Sequence, residues 1–326
     1  MRYKALLLRW ICAAAVPALC YSPVTQALLQ VSESSAAPAV EPITRVPEPP
    51  AVDPLRVALG ERLFQDPRLS RGNTRKCASC HDLGTNGASR NVRDTAPDGS
   101  PLSLNTPTVF NSALCFRLGW DGEFRTLEAQ AAGSLQNPLI MDSGMDEVVG
   151  KLSGDSDLVH QFKVAYGHGP DAASILNAIA TFERSLVTPG SRFDRWLSGD
   201  SAALSAQQID GYRLFKSLGC VSCHQGVNVG GNMFQRHGIF HPLGREEPQI
   251  LRVPSLRNVA TTAPYFHDGS AATLDEAVRK MADAQLNLTL TEPQVDAIVA
   301  YLHSLTGTYH GRFVEEPSGR FVGEPR

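Results

Sequence analysis

No excess of positive charge runs through this 326-residue chain: 30 lysines and arginines face 33 acidic residues, for a net charge of -3. Phosphate backbones are bound by clustered basic side chains that displace counterions, so this balance argues against nucleic acid as a partner. Nor does the chain hold an unbroken apolar run of the about 20 residues that a membrane span takes. Its nearest approach, residues 5–20, is split by Arg9. Core-forming residues are not scarce, at 42% hydrophobic against 19% charged, which excludes disorder as the main state. The length suits one large domain or two. A last shortage is local: of nine histidines, none lies between His81 and His160.

Arg2 and Lys4 followed by that apolar run, closing on Thr25-Gln26-Ala27, read as a secretory signal over residues 1–27. Export to the periplasm is the expectation, with Cys12 and Cys20 leaving with the signal. Residues 28–54 form a proline-rich linker, with prolines at 38, 42, 47, 49, 50 and 54. At the other end, residues 311–326 are rich in glycine and proline and are expected as a flexible tail.

Four of the remaining five cysteines stand in Cys77-Ala-Ser-Cys80-His81 and Cys220-Val-Ser-Cys223-His224. Both match C-x-x-C-H, the attachment signal of c-type haem. Two thiols add across the two vinyl groups of one porphyrin, and the imidazole that follows becomes the proximal ligand of the iron. A redox disulfide pair or a four-cysteine zinc site would use C-x-x-C as well, but neither explains a histidine after both pairs. The fifth, Cys115 between Leu114 and Phe116, reads as a buried thiol.

The two motifs belong to an internal repeat. Asn111 and Asn258 open stretches in which Trp120-Asp121-Gly122 and Thr126-Leu127-Glu128 recur, 147 residues on, as His267-Asp268-Gly269 and Thr273-Leu274-Asp275. Upstream, Gly60-Glu-Arg-Leu-Phe64 matches Gly211-Tyr-Arg-Leu-Phe215. Helical apolar spacing marks 55–65, 145–166, 171–187, 205–218, 273–285 and 291–305. The expected architecture is mostly α, with two tandem cytochrome c-like haem domains at 55–195 and 196–310 arising from duplication. Met281 follows the second Asp-Gly turn, and its thioether suits a sixth iron ligand. The position 147 residues earlier is Ser134, a weak iron ligand, so the first haem is expected to keep an open face. Trp120, matched in the repeat by His267, is placed to relay electrons between haems, and His267 to contact the second haem.

These residues resemble the bacterial di-haem cytochrome c peroxidase family, which includes the MauG-type enzymes that oxidise a side chain of another protein. The resemblance covers about residues 55–306 and rests on both attachment motifs, Asn105-Thr-Pro-Thr108, Trp120-Asp-Gly122, Gln130, Asn137-Pro138, Val253-Pro-Ser-Leu-Arg-Asn258, Thr262-Ala-Pro-Tyr-Phe-His-Asp-Gly269 and Met281. It implies a peroxidatic haem on His81 and an electron-transfer haem on His224 and Met281. Gln130 falls on the family's distal glutamine and Trp120 on its inter-haem tryptophan. It further implies a calcium held by the Asn105 side chain and the carbonyls of Thr262 and Pro264, and it allows a homodimer.

Two departures accompany the resemblance. The family's peroxidases carry a histidine after the first motif that caps the iron until the other haem is reduced; residues 82–104 hold none. Where the family places a catalytic glutamate, ten residues after the glutamine, stands Ile140. Glu128 and Asp142 are carboxyls near it in sequence. The expected activity is use of hydrogen peroxide to form a high-valent haem intermediate that oxidises a partner protein, as in the MauG type. The alternatives are a peroxidase fed by a small cytochrome or cupredoxin, and a non-catalytic electron carrier.

Overall fold

Helix starts in this protein are set by short polar side chains that accept from the first free backbone N–H groups. The computed structural model describes residues 41–243 and 250–315. Helix α1 (Pro54–Phe64) begins at Asp53, whose carboxylate accepts from Leu55 N, with Pro54 in the first turn. Thr126 caps α2 (Leu127–Gln136), and Gly144 precedes α3 (Met145–Ser153). Asp155 caps α4 (Ser156–Tyr166), which ends at Gly167 in the left-handed conformation. Reciprocal capping boxes start α5 (Ala172–Ser185), α6 (Arg192–Leu197) and α7 (Ala206–Ser217). Thr273 caps α8 (Leu274–Leu286), and Thr291 with Gln294 starts α9 (Glu292–His303). Strands are few: β1 (Phe234–Arg236) pairs antiparallel with β2 (Ile250–Arg252), and β3 (Thr308–Tyr309) with β4 (Arg312–Phe313).

The sequence spacing located α1, α5, α7, α8 and α9 to within two residues at each end. The single helix expected over 145–166 is two, because Asp155 turns its side chain onto the N–H groups of Asp157 and Leu158 and so opens a new helix. Helices α2 and α6 carried no apolar period strong enough to be seen.

Each half is built on one crossing of its first and last helices. In the first half α1 meets α5 at Gly60, where an added Cβ would lie 2.1 Å from the Ala178 carbonyl oxygen. In the second, α7 meets α9 at Gly211, where it would lie 1.8 Å from that of Ala297. Only glycine allows either approach. Leu59, Leu63, Leu135, Leu158, Phe162 and Ile175 build the first core, and Phe193, Tyr212, Phe215, Tyr301 and Leu305 the second.

The duplication is visible atom by atom. Asn111 and Asn258 both adopt φ 61° and each opens a short 3-10 turn, Ser112–Leu114 and Val259–Thr261. The bridge Leu118–Phe124 recurs as Tyr265–Ala271. The two halves also meet on one atom: the Thr188 hydroxyl oxygen accepts from the side-chain amides of Asn111 at 2.8 Å and Asn258 at 3.0 Å.

The ends interlock with these halves rather than standing free. Residues 42–53 form no helix or strand, but Ile43 is 1% exposed in the second core and Gly226 N donates to the Pro42 carbonyl. The linker expected over 28–54 is therefore docked from residue 42. Likewise, the start of the expected tail pairs as β4, and Val314 is buried against Phe64 and Phe182 of the first half. Apolar side chains in a glycine- and proline-rich segment still bury where a core offers room. The signal, residues 28–40 of the linker and residues 316–326 lie outside the described residues.

Candidate di-haem active site

Cys77–Ser79 and Cys220–Ser222 form matching 3-10 turns, and each motif histidine donates its backbone N–H to the first cysteine of its own motif, His81 to Cys77 and His224 to Cys220, both at 3.0 Å. The turn places both thiols and the imidazole on one short stretch of backbone. His81 Nδ1 lies 3.2 Å from the Gly87 carbonyl and His224 Nδ1 3.2 Å from that of Val229. A carbonyl can only accept, so each Nδ1 carries the proton and each Nε2 keeps its lone pair for a metal. Burial pushes both imidazoles below their ordinary pKa, His224 to about 4, so both are neutral as iron ligation requires. Burial likewise raises the thiols, Cys77 and Cys80 to about 12 and Cys220 to about 11. The described cysteines are all unpaired, which two vinyl additions per motif require.

On α2, Gln130 and Ser134 share one face, and the Gln130 amide donates to the Ser134 hydroxyl at 2.8 Å. Ile140 is half-buried against the first core, in the same apolar cluster as Cys77. On α8, Met281 is half-buried and is not part of the apolar cluster that takes in its neighbours Leu274, Ala277 and Val278. Met141, by contrast, is 5% exposed within the first core.

Between the halves lies a compact bridge. The Trp120 indole N–H donates to the Asn105 carbonyl at 2.8 Å, and Asn105 N–H donates to the His267 carbonyl at 2.7 Å. The repeat partners Trp120 and His267 face each other edge to face, ring centres 6.5 Å apart. His267 is 4% exposed, and its Nδ1 has no hydrogen-bond partner among the described residues. A buried unsatisfied ring nitrogen is costly unless a further group meets it, and a haem propionate would do so. Beside the bridge, Asn105 Nδ2 donates to the carbonyls of Asn91 and Val92. That turns its amide oxygen the other way. The Asn105 amide oxygen and the carbonyls of Thr262 and Pro264 are hard oxygen donors of the kind that suits calcium.

A family model described as di-haem cytochrome c peroxidase matches residues 54–202, and one described as cytochrome c matches 208–306. The chain is 40% identical to cytochrome c551 peroxidase of Nitrosomonas europaea over 264 residues, covering 76% of this chain and 79% of that one. The chain belongs to the di-haem cytochrome c peroxidase/MauG family. It is 43% identical to cytochrome c peroxidase Ccp of Escherichia coli over 82% of its own length, and spans 62% of the length of that relative. To the methylamine utilization protein MauG of Methylorubrum extorquens it is 35% identical over 71% of this chain and 70% of that one. A crystal structure of a MauG-like protein associated with microbial copper homeostasis shares the fold at TM-score 0.71 and 26% identity, covering 84% of this chain and 95% of that one. Relatives in this family are peroxide-dependent di-haem oxidoreductases, and the cytochrome c modules imply covalently bound haem.

Set in this family, several side chains matter that sequence reasoning passed over. His237, which no motif marks in the sequence, lies with its ring centre 4.4 Å from that of His267, and burial pushes it to about 4. Arg252 donates from Nε to the Gly119 carbonyl at 3.0 Å and from its backbone N–H to that of Trp120 at 2.8 Å, so it fixes the tryptophan loop. Cys115 is half-buried rather than buried, and its sulfur accepts from Asn228 Nδ2 at 3.3 Å. Only its lack of a C-x-x-C partner marked it in sequence. The carboxyls near Ile140 are both committed: Glu128 to Arg184 at 2.5 Å and Asp142 to Arg71 at 3.1 Å. Among the described residues no helix is long and apolar enough to cross a membrane.

Proposed function

We propose that this protein is an exported, periplasmic di-haem peroxidase that reacts with hydrogen peroxide at the haem of His81 and draws electrons through Trp120 from the haem of His224 and Met281. The haems supply one-electron redox chemistry, and an iron with an open face supplies the place where peroxide binds. The observation that carries the reading is the Trp120–Asn105–His267 chain of two short hydrogen bonds, which joins the halves at their matched repeat positions.

The roles of individual residues follow from their chemistry. Cys77, Cys80, Cys220 and Cys223 anchor the two haems. Met281 would serve beside His224 as a ligand of the second haem, and Ser134, its counterpart in the repeat, is too weak a ligand to do the same at the first. Gln130, already polarised by Ser134, turns its amide N–H toward peroxide and steadies developing charge. It cannot supply a proton, and neither can Ile140. His267 would meet the second haem through Nδ1, while Asn105, Thr262 and Pro264 would hold calcium and so fix the bridge. Electrons arrive from a small cytochrome or cupredoxin.

A second reading is favoured by two features: residues 82–104 hold no capping histidine and Ile140 replaces the expected acid. A site that is always open but slow to cleave peroxide suits MauG-like oxidation of a partner protein's side chain. The first test is the low-temperature EPR spectrum of the oxidised holoprotein before and after one equivalent of hydrogen peroxide. One high-spin and one low-spin signal, both lost without prior reduction, are expected. Two low-spin haems unresponsive to peroxide would overturn the open site. Rapid turnover with reduced cytochrome then selects the peroxidase over the partner-oxidising reading.

A further inference from the structure

One carboxyl near the first haem is unlike the others. Glu183 sits near the end of α5 and is 6% exposed, and its Oε2 has no hydrogen-bond partner among the described residues. The residue before it, Phe182, and Leu186 on the next turn pack in the apolar cluster that takes in Cys77 and Ala78 of the first attachment turn. Glu183 itself acts electrostatically on Cys77, the thiol that anchors the first haem. The guanidinium next to it offers no partner, because Arg184 is engaged by Glu128.

The other half shows that the fold has no need of a carboxyl here. Helices α5 and α9 correspond through the crossing residues Ala178 and Ala297, 119 apart, which pairs Glu183 with Leu302. Leu302 is 4% exposed in the second core, in the cluster that takes in Cys220. An apolar side chain therefore serves at the electron-transfer haem, and an acid stands at the same place beside the haem proposed to react. Burying an unpaired carboxylate is costly, so such a group holds its proton. Three titratable groups act on it: Glu128 from α2, Arg184 from its own helix, and Cys77 from the attachment turn. Burial first, and then the Glu128 charge, push it up to about 8.

We propose that Glu183 is a redox-linked proton carrier of the first haem. It is a positioning residue that binds a proton from solvent when the iron held by His81 gains an electron and releases it when that iron loses one. The balance is simple: a one-electron donor reduces ferric to ferrous iron, and one carboxylate plus one solvent proton become one carboxylic acid. Ferric haem carries one more positive charge than ferrous, so oxidation lowers the affinity of Glu183 for its proton. The linked window therefore lies at and below about 8. Within it the first haem becomes harder to reduce as pH rises. The inference rests on a haem at Cys77–His81 and not on which reductant the enzyme uses.

The test is a redox titration of the holoprotein at a series of pH values, read at the high-spin haem, with redox-difference infrared spectra of the same samples. The expected result is a reduction equilibrium that falls by up to about tenfold per pH unit in the window. A protonated-carboxyl C=O band should change when the first haem is reduced. Glu183→Gln should lose both the slope and the band while the second haem titrates as before, and Glu183→Asp should keep a slope. Absence of any carboxyl band linked to the first haem in the unaltered protein overturns the proposal without a variant. So does an unchanged slope in Glu183→Gln. A haem count of two per chain in each sample separates failure of this inference from failure of the haem assignment.

Discussion

Replacing Thr188 by valine should weaken the joint between the two halves, because one hydroxyl oxygen serves as acceptor for both repeat asparagines. Thr188 is 1% exposed, Asn111 1% and Asn258 0%. Valine keeps the shape and removes the acceptor, so two buried amide donors lose their partner together. Each buried donor left unsatisfied costs about 1–3 kcal/mol, which gives about 2–6 kcal/mol for the pair. Thr188→Ser keeps the oxygen and removes only a methyl, worth about 1 kcal/mol. Guanidinium unfolding of the holoprotein, followed by tryptophan fluorescence and haem absorption, reads both variants against the parent at a common slope. The reasoning fails if Thr188→Val lies within about 0.5 kcal/mol of the parent, the scatter of neutral substitutions, or if serine is as damaging as valine.

Three further outcomes follow from the site. Met281→Ala should turn the low-spin EPR signal of the second haem high-spin and leave the first unchanged; a spectrum that stays low-spin would show that another residue is the ligand. Ile140→Glu should raise peroxide consumption by about 10²-fold, the lower end of what a positioned acid or base contributes, and an unaltered rate would remove that explanation of the departure. His237 is held below its ordinary value, at about 4, mainly by burial, so the neutral ring is favoured in the folded state. Stability present above the unfolded value of 6.5 should therefore be lost as pH falls from there toward about 4. His237→Phe should flatten that acid limb in thermal unfolding, and a limb of the same depth would place the effect elsewhere.

Much of the fold could be read from residue order because its signals are local. Caps such as Asp171 with Ser174 and Ser205 with Gln208 act within one turn, and apolar spacing on α5, α7 and α9 reports the buried face directly. Helix α2 escaped because Ala131, Ala132, Gly133 and Ser134 give little contrast between faces, although Thr126 stands in the repeat position of the cap Thr273. The docking of Ile43 and Val314 escaped for another reason. Which core takes an isolated apolar residue depends on the shapes of surfaces far away in sequence.

The sequence by itself determined the chemistry of attachment, since C-x-x-C-H works within five consecutive residues, and the duplication, since a constant offset of 147 is a property of order alone. It also located the asymmetry between Met281 and Ser134. Only the tertiary structure decided which distant residues meet: Asn105 with His267 and Asn258 with Thr188 across the halves, and within them Trp120 with the Asn105 carbonyl, Asn111 with Thr188, and His237 against His267. It alone separated the carboxyls as well, Glu128 and Asp142 drawn off by arginines and Glu183 left buried with an unpartnered Oε2 among the described residues. Ionisation and electron paths depend on distance and dielectric between groups many residues apart, and folding alone sets those.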